Sequence, residues 1–527
     1  LVARAALAPV SREEIDAAVV RLGDSLKQEI PLQRYLEGLY ATTCPACLRP
    51  VIADYFVWDR EQDAPVAKYV RCPACSWDGQ ATVESEDRAR LADIPARGMH
   101  YHYVLDRVVE GLEGMGQRAR LESLLKLYTA RNLYALAELT LKIESFFSVG
   151  PQRTILNAML LDCLDRCSSL TPLPTSTAQQ HGLSRPNRFV ERNVWRALEK
   201  AIDRVLASGR DTSWELTESL ADYQAVGGEV PGVLGQGLVR ELPQAVAPRT
   251  VRLILTSPPP LDPAAWTLSY LWGAWLFGHE AVGALRPLLR QRTADPAWYA
   301  GVMTRSLRTL GSLLRDDGQL VLVLSGQRPA VVEALLLAAS GARLGLATLV
   351  QQGTDYRLAL VPTLPQRAPP RGEPLEALMR RHAVAAAVEA IQARGEPVAW
   401  PGLHATMLRR LVEEGLLARA LEPEEDGMSP FDLVAEQVQD ALQDPALLRL
   451  PAVREGGDRW WLVNEAGVAR PLSDRLEESA HHLLEEGRDL GETEFAAGIY
   501  KQYPGILTPE AELIALCLRA YGRETMP

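Results

Sequence analysis

Four cysteines near the start of the chain have the types and spacing of a metal site. The motif CPAC occurs twice, and its thiols belong to Cys44, Cys47, Cys72 and Cys75. Two cysteines separated by two residues can share one tight turn with both sulfurs facing the same ion, and two such turns complete a tetrahedral thiolate site. Free buried thiols or a redox pair are the alternatives, but neither accounts for the paired spacing. The sequence therefore predicts structural zinc, because four thiolates leave no open position for catalysis.

Strand-like segments separate the two cysteine pairs and must position them. VIADYFVWDR and AKYVRC are rich in β-branched and aromatic residues, which favour strands. This pattern is typical of a zinc ribbon, which we place at residues 41–82. Seven cysteines in 527 residues do not make a disulfide scaffold, and their metal-type spacing predicts a reducing, cytoplasmic location.

A second stretch, LILTSPPP at 253–260, places a polar residue at the end of an apolar strand. Strands and helices alternate over residues 229–362, which predicts an α/β fold with a mostly parallel sheet. The carboxyl ends of parallel strands face the ligand crevice of such a sheet. Because proline fixes φ and lacks an N–H, the turn can present the Ser257 hydroxyl and a carbonyl as rigid acceptors. A disordered linker is the alternative, and the preceding strand argues against it.

At this turn the chain resembles the class I S-adenosylmethionine-dependent DNA methyltransferases that modify exocyclic amino groups. Their signature is Asp, Asn or Ser, then Pro-Pro, then an aromatic residue, at the end of the fourth strand. Ser257, Pro258 and Pro259 match it, and Pro260 occupies the aromatic position. The resemblance implies that the Ser257 hydroxyl and the Pro258 carbonyl accept hydrogen bonds from a flipped adenine or cytosine. Those bonds would aim the amino nitrogen at the methyl group of S-adenosylmethionine.

The resemblance also implies an architecture. The fold class would be α/β: a partial Rossmann-like class I methyltransferase sheet with an inserted four-cysteine zinc ribbon and a mainly α C-terminal domain. Residues 229–362 would form the sheet that carries the SPPP motif. The other predicted segments are a helical remainder of that core at 1–40, a helical insert or target-recognition region at 83–228, a Pro/Arg linker at 363–374, and a helical, winged-helix-like domain at 375–527. A dimerisation or partner-docking domain is the alternative for the last segment.

Cofactor-binding residues are predicted from the same resemblance. LYTARN resembles a Phe/Tyr-Thr-Pro-Arg segment near the cofactor, so Tyr128, Thr129 and Arg131 are candidates. An ordinary helix start with Thr129 as N-cap is the alternative. Gln236 stands where the family often has an acidic residue against the adenine of the cofactor. The family's glycine-rich cofactor loop appears nowhere in residues 1–527, which predicts a chain lacking its N-terminal portion or, alternatively, a degenerate or split enzyme.

Candidate nucleic-acid contacts flank these motifs. Trp266 and Tyr270 follow the SPPP turn and would stack on the base, unless their helix belongs to the core. Arg185, Arg188 and Arg192 lie in SRPNRFVERNVWRALEK, for which we predict a helix over 187–209 with a basic face; a solvated helix face is the alternative. Arginine suits phosphate and base edges.

The overall charge and hydropathy limit the classes of function. A net charge of −11 argues against a uniformly basic nucleic-acid coat and leaves room for a local basic face. The sequence contains no run of about 18 apolar residues, so no transmembrane helix is predicted. The leading hypothesis is a DNA methyltransferase of adenine or cytosine amino groups. A non-catalytic nucleic-acid-binding scaffold derived from such an enzyme and an RNA methyltransferase are the alternatives.

Overall fold

The chain folds into two compact units in a computed structural model. The structure describes residues 1–112, 114–173, 182–206, 216–217, 232–235, 237–290, 294–362, 372–422, 428–452, 457–485 and 490–522. The first unit comprises Leu1–Gly235 and Asp262–Ala294, and the second comprises Gln236–Leu261 and Asp295–Pro527. The chain therefore crosses from one unit to the other three times.

The helices are numbered in chain order. Those before residue 240 are α1 (Val2–Leu7), α2 (Arg12–Asp24), α3 (Leu32–Gly38), α4 (Ser85–Ala92), α5 (Met99–Val109), α6 (Met115–Leu124), α7 (Ala130–Phe146), α8 (Pro151–Arg166) and α9 (Val194–Leu206). The later ones are α10 (Leu242–Ala245), α11 (Pro263–Phe277), α12 (Pro296–Leu313), α13 (Pro329–Gly341), α14 (Leu375–Arg394), α15 (Trp400–Glu413), α16 (Leu416–Ala420), α17 (Pro430–Ala441), α18 (Leu472–Glu485), α19 (Glu492–Gln502) and α20 (Ala511–Tyr521).

The strands fall into five sheets within the described residues. Those of the first unit are β1 (Leu26–Lys27), β2 (Ile30–Pro31), β3 (Ala41–Thr43), β4 (Pro50–Asp59), β5 (Ala64–Arg71), β6 (Asp78–Thr82), β7 (Arg188–Arg192), β8 (Leu216–Thr217) and β9 (Gly232–Val233). Those of the second are β10 (Val251–Thr256), β11 (Leu314–Leu324), β12 (Leu344–Gln352), β13 (Asp355–Pro362), β14 (Val398–Ala399), β15 (Leu447–Leu450) and β16 (Arg459–Leu462). The chain is thus mixed α/β.

The first unit is built around α7 and α8, which are buried over much of their length. Helix α11 joins this core although it directly follows the SPPP turn. Its Trp275 is fully buried and donates from Nε1 to Thr140 Oγ1 of α7 at 3.0 Å. Burial of such large aromatic side chains is a strong stabilising term. The unit boundaries consequently differ from the predicted domain bounds, since residues 1–40 and α11 both lie in the first unit.

The ribbon sheet has the strand order β3-β4-β5-β6, and β7 pairs with the C-terminal half of β4, residues 55–59. All of these pairings are antiparallel. The predicted helix over 187–209 is wrong in its first part, because residues 188–192 form β7 and the helix α9 begins only at Val194. Phe189 and Val190 are buried in the strand, so pairing with a distant strand outweighs the local helical pattern.

The main sheet of the second unit has the strand order β10-β11-β13-β12. Strands β10 and β11 are parallel, and β13 is antiparallel to both β11 and β12. One face is buried, with Leu320 and Leu322 of β11 at 0% exposure. On β10, which pairs on one side only among the described strands, Leu253 and Leu255 are 58% and 67% exposed. The sheet is therefore well covered on one face, and its edge strand presents two leucines to solvent.

The rest of the second unit is mainly helical. Its small sheet has the antiparallel order β14-β16-β15. The elements of this part follow one another in the order α14, β14, α15, α16, α17, β15, β16. Helices α18, α19 and α20 form a separate apolar cluster that includes Phe495 and Ile499. In the described parts of the chain, none of the helices combines the length and the apolar character needed to traverse a bilayer.

Candidate functional site

The four cysteines of the ribbon converge on one point. Cys44 Sγ lies 3.6 Å from Cys75 Sγ, and Cys47 Sγ lies 3.6 Å from Cys72 Sγ. All four sulfurs lie within 4.8 Å of one another. Four thiolates around zinc at about 2.3 Å would be separated by about 3.8 Å in a regular tetrahedron. The donor set can hold a metal ion and is consistent with structural zinc.

Two equivalent turns position these sulfurs. In the first, the Cys44 amide donates to the carbonyl of residue 49, and the Leu48 amide donates to the Cys44 carbonyl. The second turn repeats this pattern from Cys72, with Ser76 in the place of Leu48. Leu48 and Ser76 have φ values of +60° and +57°, a left-handed conformation that costs free energy in residues other than glycine. The strain falls at matching positions, as expected if both turns serve one ion.

The thiols differ in acidity within the cluster. Burial opposes ionisation of Cys44, but the amides of Cys47 and Ala46 and the neighbouring thiols lower its pKa to about 6. The amide of Trp77 also lowers the pKa of Cys75, but burial and the adjacent sulfurs outweigh it and raise that pKa to about 12. The four thiols therefore do not ionise independently, and binding of a divalent ion would displace the remaining protons.

The SPPP turn lies at the carboxyl end of β10, as predicted, and is anchored by the helices behind it. The Tyr299 hydroxyl of α12 donates to the Pro259 carbonyl at 2.7 Å. Burial raises the pKa of Tyr299, so this hydroxyl keeps its proton. Arg328, the N-cap residue of α13, donates more weakly to the Leu261 carbonyl at 3.4 Å. Two side chains of the second unit, those of Tyr299 and Arg328, thus hold the turn through its carbonyl groups.

Two acceptors of the turn are unpaired within the described part of the chain. Ser257 is exposed and Pro258 is buried, and neither the Ser257 hydroxyl nor the Pro258 carbonyl has a hydrogen-bond partner there. Residues 258–260 have no amide N–H, so the local chemistry is dominated by acceptors. Pro260 is half-buried and offers no aromatic face. The arrangement suits a ligand that donates two hydrogen bonds from one group.

The two aromatic side chains predicted to stack on a base are buried in the first unit. Trp266 is 5% exposed, and Tyr270 is fully buried. The Tyr270 hydroxyl donates to the Val108 carbonyl of α5 at 3.4 Å, and burial raises the pKa of this phenol. Their surroundings favour the core interpretation of α11.

The residues predicted to bind the cofactor are also interior. Tyr128 is 5% exposed and donates to the Leu164 carbonyl at 2.8 Å. Thr129 caps α7 by accepting from the Asn132 amide at 3.2 Å, as expected from the alternative of an ordinary helix start. Arg131 is 1% exposed and pairs with Glu191 of β7.

Glu191 of β7 accepts hydrogen bonds from three side chains of the first unit. Its carboxylate accepts from Arg131, from Thr129 and, at 2.7 Å, from Trp58 Nε1. The segment around residue 128 therefore ties α7 to the ribbon sheet. The fourth predicted cofactor-binding residue, Gln236, lies outside the described residues.

The three predicted arginine contacts have different environments. Arg185 Nη1 donates to the Lys126 carbonyl at 3.2 Å, and Arg188 Nε lies 3.6 Å from an Asp59 oxygen. Arg192 is half-buried, and its Nε has no hydrogen-bond partner among the described residues. Its side chain lines a groove beside the ribbon.

We call this depression the ribbon groove. It has a volume of about 360 Å³. The side chains that give it its character are Tyr55, Tyr69, Arg71, Arg192, Arg196 and Lys200. Of these, the sequence had indicated only the arginines of the 185–196 stretch. Tyr55 and Tyr69 become neighbours through the β4–β5 register, and the period-two pattern of those strands was the available signal.

Comparison with known proteins gave no identification. No protein family matches the chain, and neither a curated protein nor a solved structure shows significant similarity to it.

Proposed function

We propose that this protein takes part in S-adenosylmethionine-dependent methylation of an exocyclic amino group, on adenine or cytosine of DNA. The observation that carries the proposal is the SPPP turn at the end of β10, where the exposed Ser257 hydroxyl and the carbonyl of the buried Pro258 both lack a hydrogen-bond partner within the described residues. An exocyclic amino group carries two N–H donors, so it matches this pair of acceptors. Carbonyl oxygens and ring nitrogens without a hydrogen, which only accept, do not.

The order of the second unit supports the same interpretation. After β10 the chain passes through α11, which belongs to the first unit, and then through α12 to the parallel strand β11. Helix α13 leads on to the antiparallel hairpin of β12 and β13. This order is compatible with the fourth strand, fifth strand and closing hairpin expected from the resemblance to class I methyltransferases. In open α/β sheets, ligands bind outside the carboxyl ends of the parallel strands, which is where Ser257 lies.

The contribution of the turn is positional. Two hydrogen bonds accepted by Ser257 Oγ and the Pro258 carbonyl would hold the amino nitrogen in one orientation and favour its lone pair as nucleophile. The Tyr299 hydroxyl bond to the Pro259 carbonyl keeps the acceptors in place. A base reaches such a turn only when it is unstacked or flipped from a duplex.

S-adenosylmethionine supplies the electrophilic methyl group when it is bound. Tyr128 and Arg131 do not fit as its ligands, because they are buried and committed to Leu164 and Glu191. We therefore derive no step through the cofactor.

A non-catalytic nucleic-acid-binding scaffold is the second candidate. Two observations favour it: Pro260 stands where a stacking aromatic residue is expected, and the predicted cofactor residues serve the core of the first unit. RNA is the alternative polymer for either function, because its bases carry the same amino groups.

A methyl-transfer assay tests the proposal. The full chain is incubated with tritiated S-adenosylmethionine and with unmodified DNA or RNA, and label on each polymer is counted. Ser257→Ala should reduce labelling about tenfold or more, since a lost hydrogen bond to a reacting group costs on the order of 1.4 kcal/mol. Ser312→Ala is the matched control, because Ser312 is an exposed serine near the end of α12, at the opposite edge of the sheet from Ser257. Label on neither polymer from a folded protein that binds DNA would instead support the scaffold.

A further inference from the structure

The ribbon groove concentrates positive charge on an acidic protein. Arg71, Arg192, Arg196 and Lys200 line it together with two carboxylates, Asp54 and Asp78. The groove therefore carries an excess of two positive charges, whereas the whole chain has a net charge of −11. Such a local reversal of charge marks a surface that attracts anions.

Two of the four cations are compensated within the protein. Asp54 accepts from Arg71 Nε at 2.7 Å and from Arg196 on the opposite side. The second carboxylate, Asp78, interacts with the Tyr69 hydroxyl and raises the pKa of that phenol. Asp54 thus orients two guanidinium groups along the groove.

The other two cations are uncompensated. Among the residues that the structure describes, neither Arg192 nor Lys200 forms an ion pair, and Arg192 Nε is buried without a hydrogen-bond partner. Burial, followed by repulsion from Arg71, Arg192 and Arg196, lowers the pKa of Lys200. A half-buried guanidinium with an unused donor is costly unless a ligand supplies the acceptor.

The groove is rigid because several elements of the first unit build it. Arg71 is followed directly by the metal-site residue Cys72, Arg192 ends β7, and Lys200 lies one turn after Arg196 on α9. Tyr55 and Tyr69 are directly paired across β4 and β5, with ring centroids 4.9 Å apart and planes 12° from parallel. A half-buried aromatic pair therefore lies beside a row of cations.

We propose that the ribbon groove binds the phosphodiester backbone of a nucleic acid. The identity of the polymer rests on the proposed function, whereas the preference for an anion follows from the groove itself. Arg192 and Lys200 contact phosphate oxygens, and the tyrosine pair contacts a sugar or base next to them. Guanidinium groups bind phosphate in a forked geometry, and aromatic side chains beside cations are the usual partners of nucleotides. The open groove suits a chain of phosphates that passes through it.

Fluorescence anisotropy with the full zinc-loaded chain tests this inference. The probes are fluorescein-labelled 30-mers of duplex DNA, single-stranded DNA and RNA. Arg192→Gln/Lys200→Gln should weaken binding of the preferred polymer about tenfold or more and, for duplex DNA, reduce the slope of log K against log salt by about 1.8. Arg88→Gln/Arg118→Gln is the matched control, since it removes the same charge from exposed helix positions of the same unit that do not line the groove. It should bind like the wild type.

A gain-of-binding variant separates groove electrostatics from misfolding. Asp78→Asn removes a carboxylate from the groove and should tighten binding several-fold, which an unfolded protein cannot do. Unchanged affinity in both the double variant and Asp78→Asn, or no binding of any probe by the wild type, would overturn the inference. If the wild type binds nucleic acid through the groove but transfers no methyl group, the methyltransferase proposal fails and the groove assignment stands.

Discussion

Arg131 and Glu191 form an ion pair in the interior of the first unit, with Arg131 Nη2 2.6 Å from Glu191 Oε2. Each residue is 1% exposed, and the guanidinium also lies 4.3 Å from the centre of the Phe56 ring. The pair joins the first turn of α7 to β7, two segments some sixty residues apart along the chain. Loss of either partner would leave a buried charge without compensation.

Glu191→Gln should therefore destabilise the first unit by about 3–5 kcal/mol, which is the usual cost of breaking a buried ion pair from one side. Urea unfolding followed by tryptophan fluorescence measures the change. Arg188 lies on the same strand as Glu191 and forms a more exposed ion pair with Asp59 of β4. Arg188→Gln should therefore cost less than about 1 kcal/mol. Equal effects of the two substitutions would show that the interior pair contributes no more than the surface pair.

The cysteine cluster should hold one zinc ion per chain. Cys44→Ser removes one of four thiolates, so we expect most of the bound metal to be lost and the β3–β6 segment to become sensitive to protease. Cys517→Ser is the control, because Cys517 is a buried cysteine outside the cluster. Metal content is measured by atomic emission after gel filtration. The same zinc content in Cys44→Ser and in the wild type would refute the site.

Acid should destabilise the first unit partly through Asp87. Burial alone would raise the pKa of Asp87, but hydrogen bonds from Thr42, the Glu84 amide and Lys68 lower it below its ordinary value of 3.8. A carboxyl with a lowered folded-state pKa contributes stability above its unfolded pKa, and this contribution is lost as the pH falls through the folded value.

The difference in unfolding free energy between wild type and Asp87→Asn should therefore be largest above about pH 5 and shrink as the pH falls below about 4. Urea titrations from pH 3 to pH 7 measure it, with zinc content followed in parallel. A difference that is constant over this range would contradict the assignment of the low pKa to Asp87.

The anchor of the SPPP turn is open to a conservative test. Tyr299→Phe removes only the hydroxyl that donates to the Pro259 carbonyl, a loss of about 1 kcal/mol. Amide exchange of Leu261 should accelerate about fivefold, since one hydrogen bond no longer restrains the turn. Tyr521→Phe, at an exposed tyrosine of α20, provides the control. Unchanged exchange in Tyr299→Phe would show that the prolines alone hold the turn.

Local patterns predicted the parts of the molecule that depend on nearby residues. The two CPAC turns and the strand that leads into Ser257 lie where the sequence placed them. Each depends on contacts within a few residues, such as the hydrogen bond from the Leu48 amide to the Cys44 carbonyl.

Long-range pairing decided the parts that local patterns missed. The segment 188–192 has a helical spacing of charges, but it pairs with β4, more than a hundred residues earlier. Glu191 lies within the segment predicted to carry a basic helix face, but it is an interior partner of Arg131. The aromatic side chains of α11 could serve a base or a core, and only the packing of Trp275 against Thr140 shows which core receives them. The partners, β4 for residues 188–192 and Thr140 for Trp275, lie far from these residues in the chain.

The exposed leucines of β10 also bear on how the protein behaves at high concentration. Leu253 and Leu255 lie on an edge strand, and such an edge is a template for further strands from other molecules. We expect purified chains to self-associate as the concentration rises, and Leu255→Lys to delay this in light-scattering measurements. The strand that carries the proposed base-binding turn would then also be the one that limits solubility, so any surface that covers β10 would act as its protective partner.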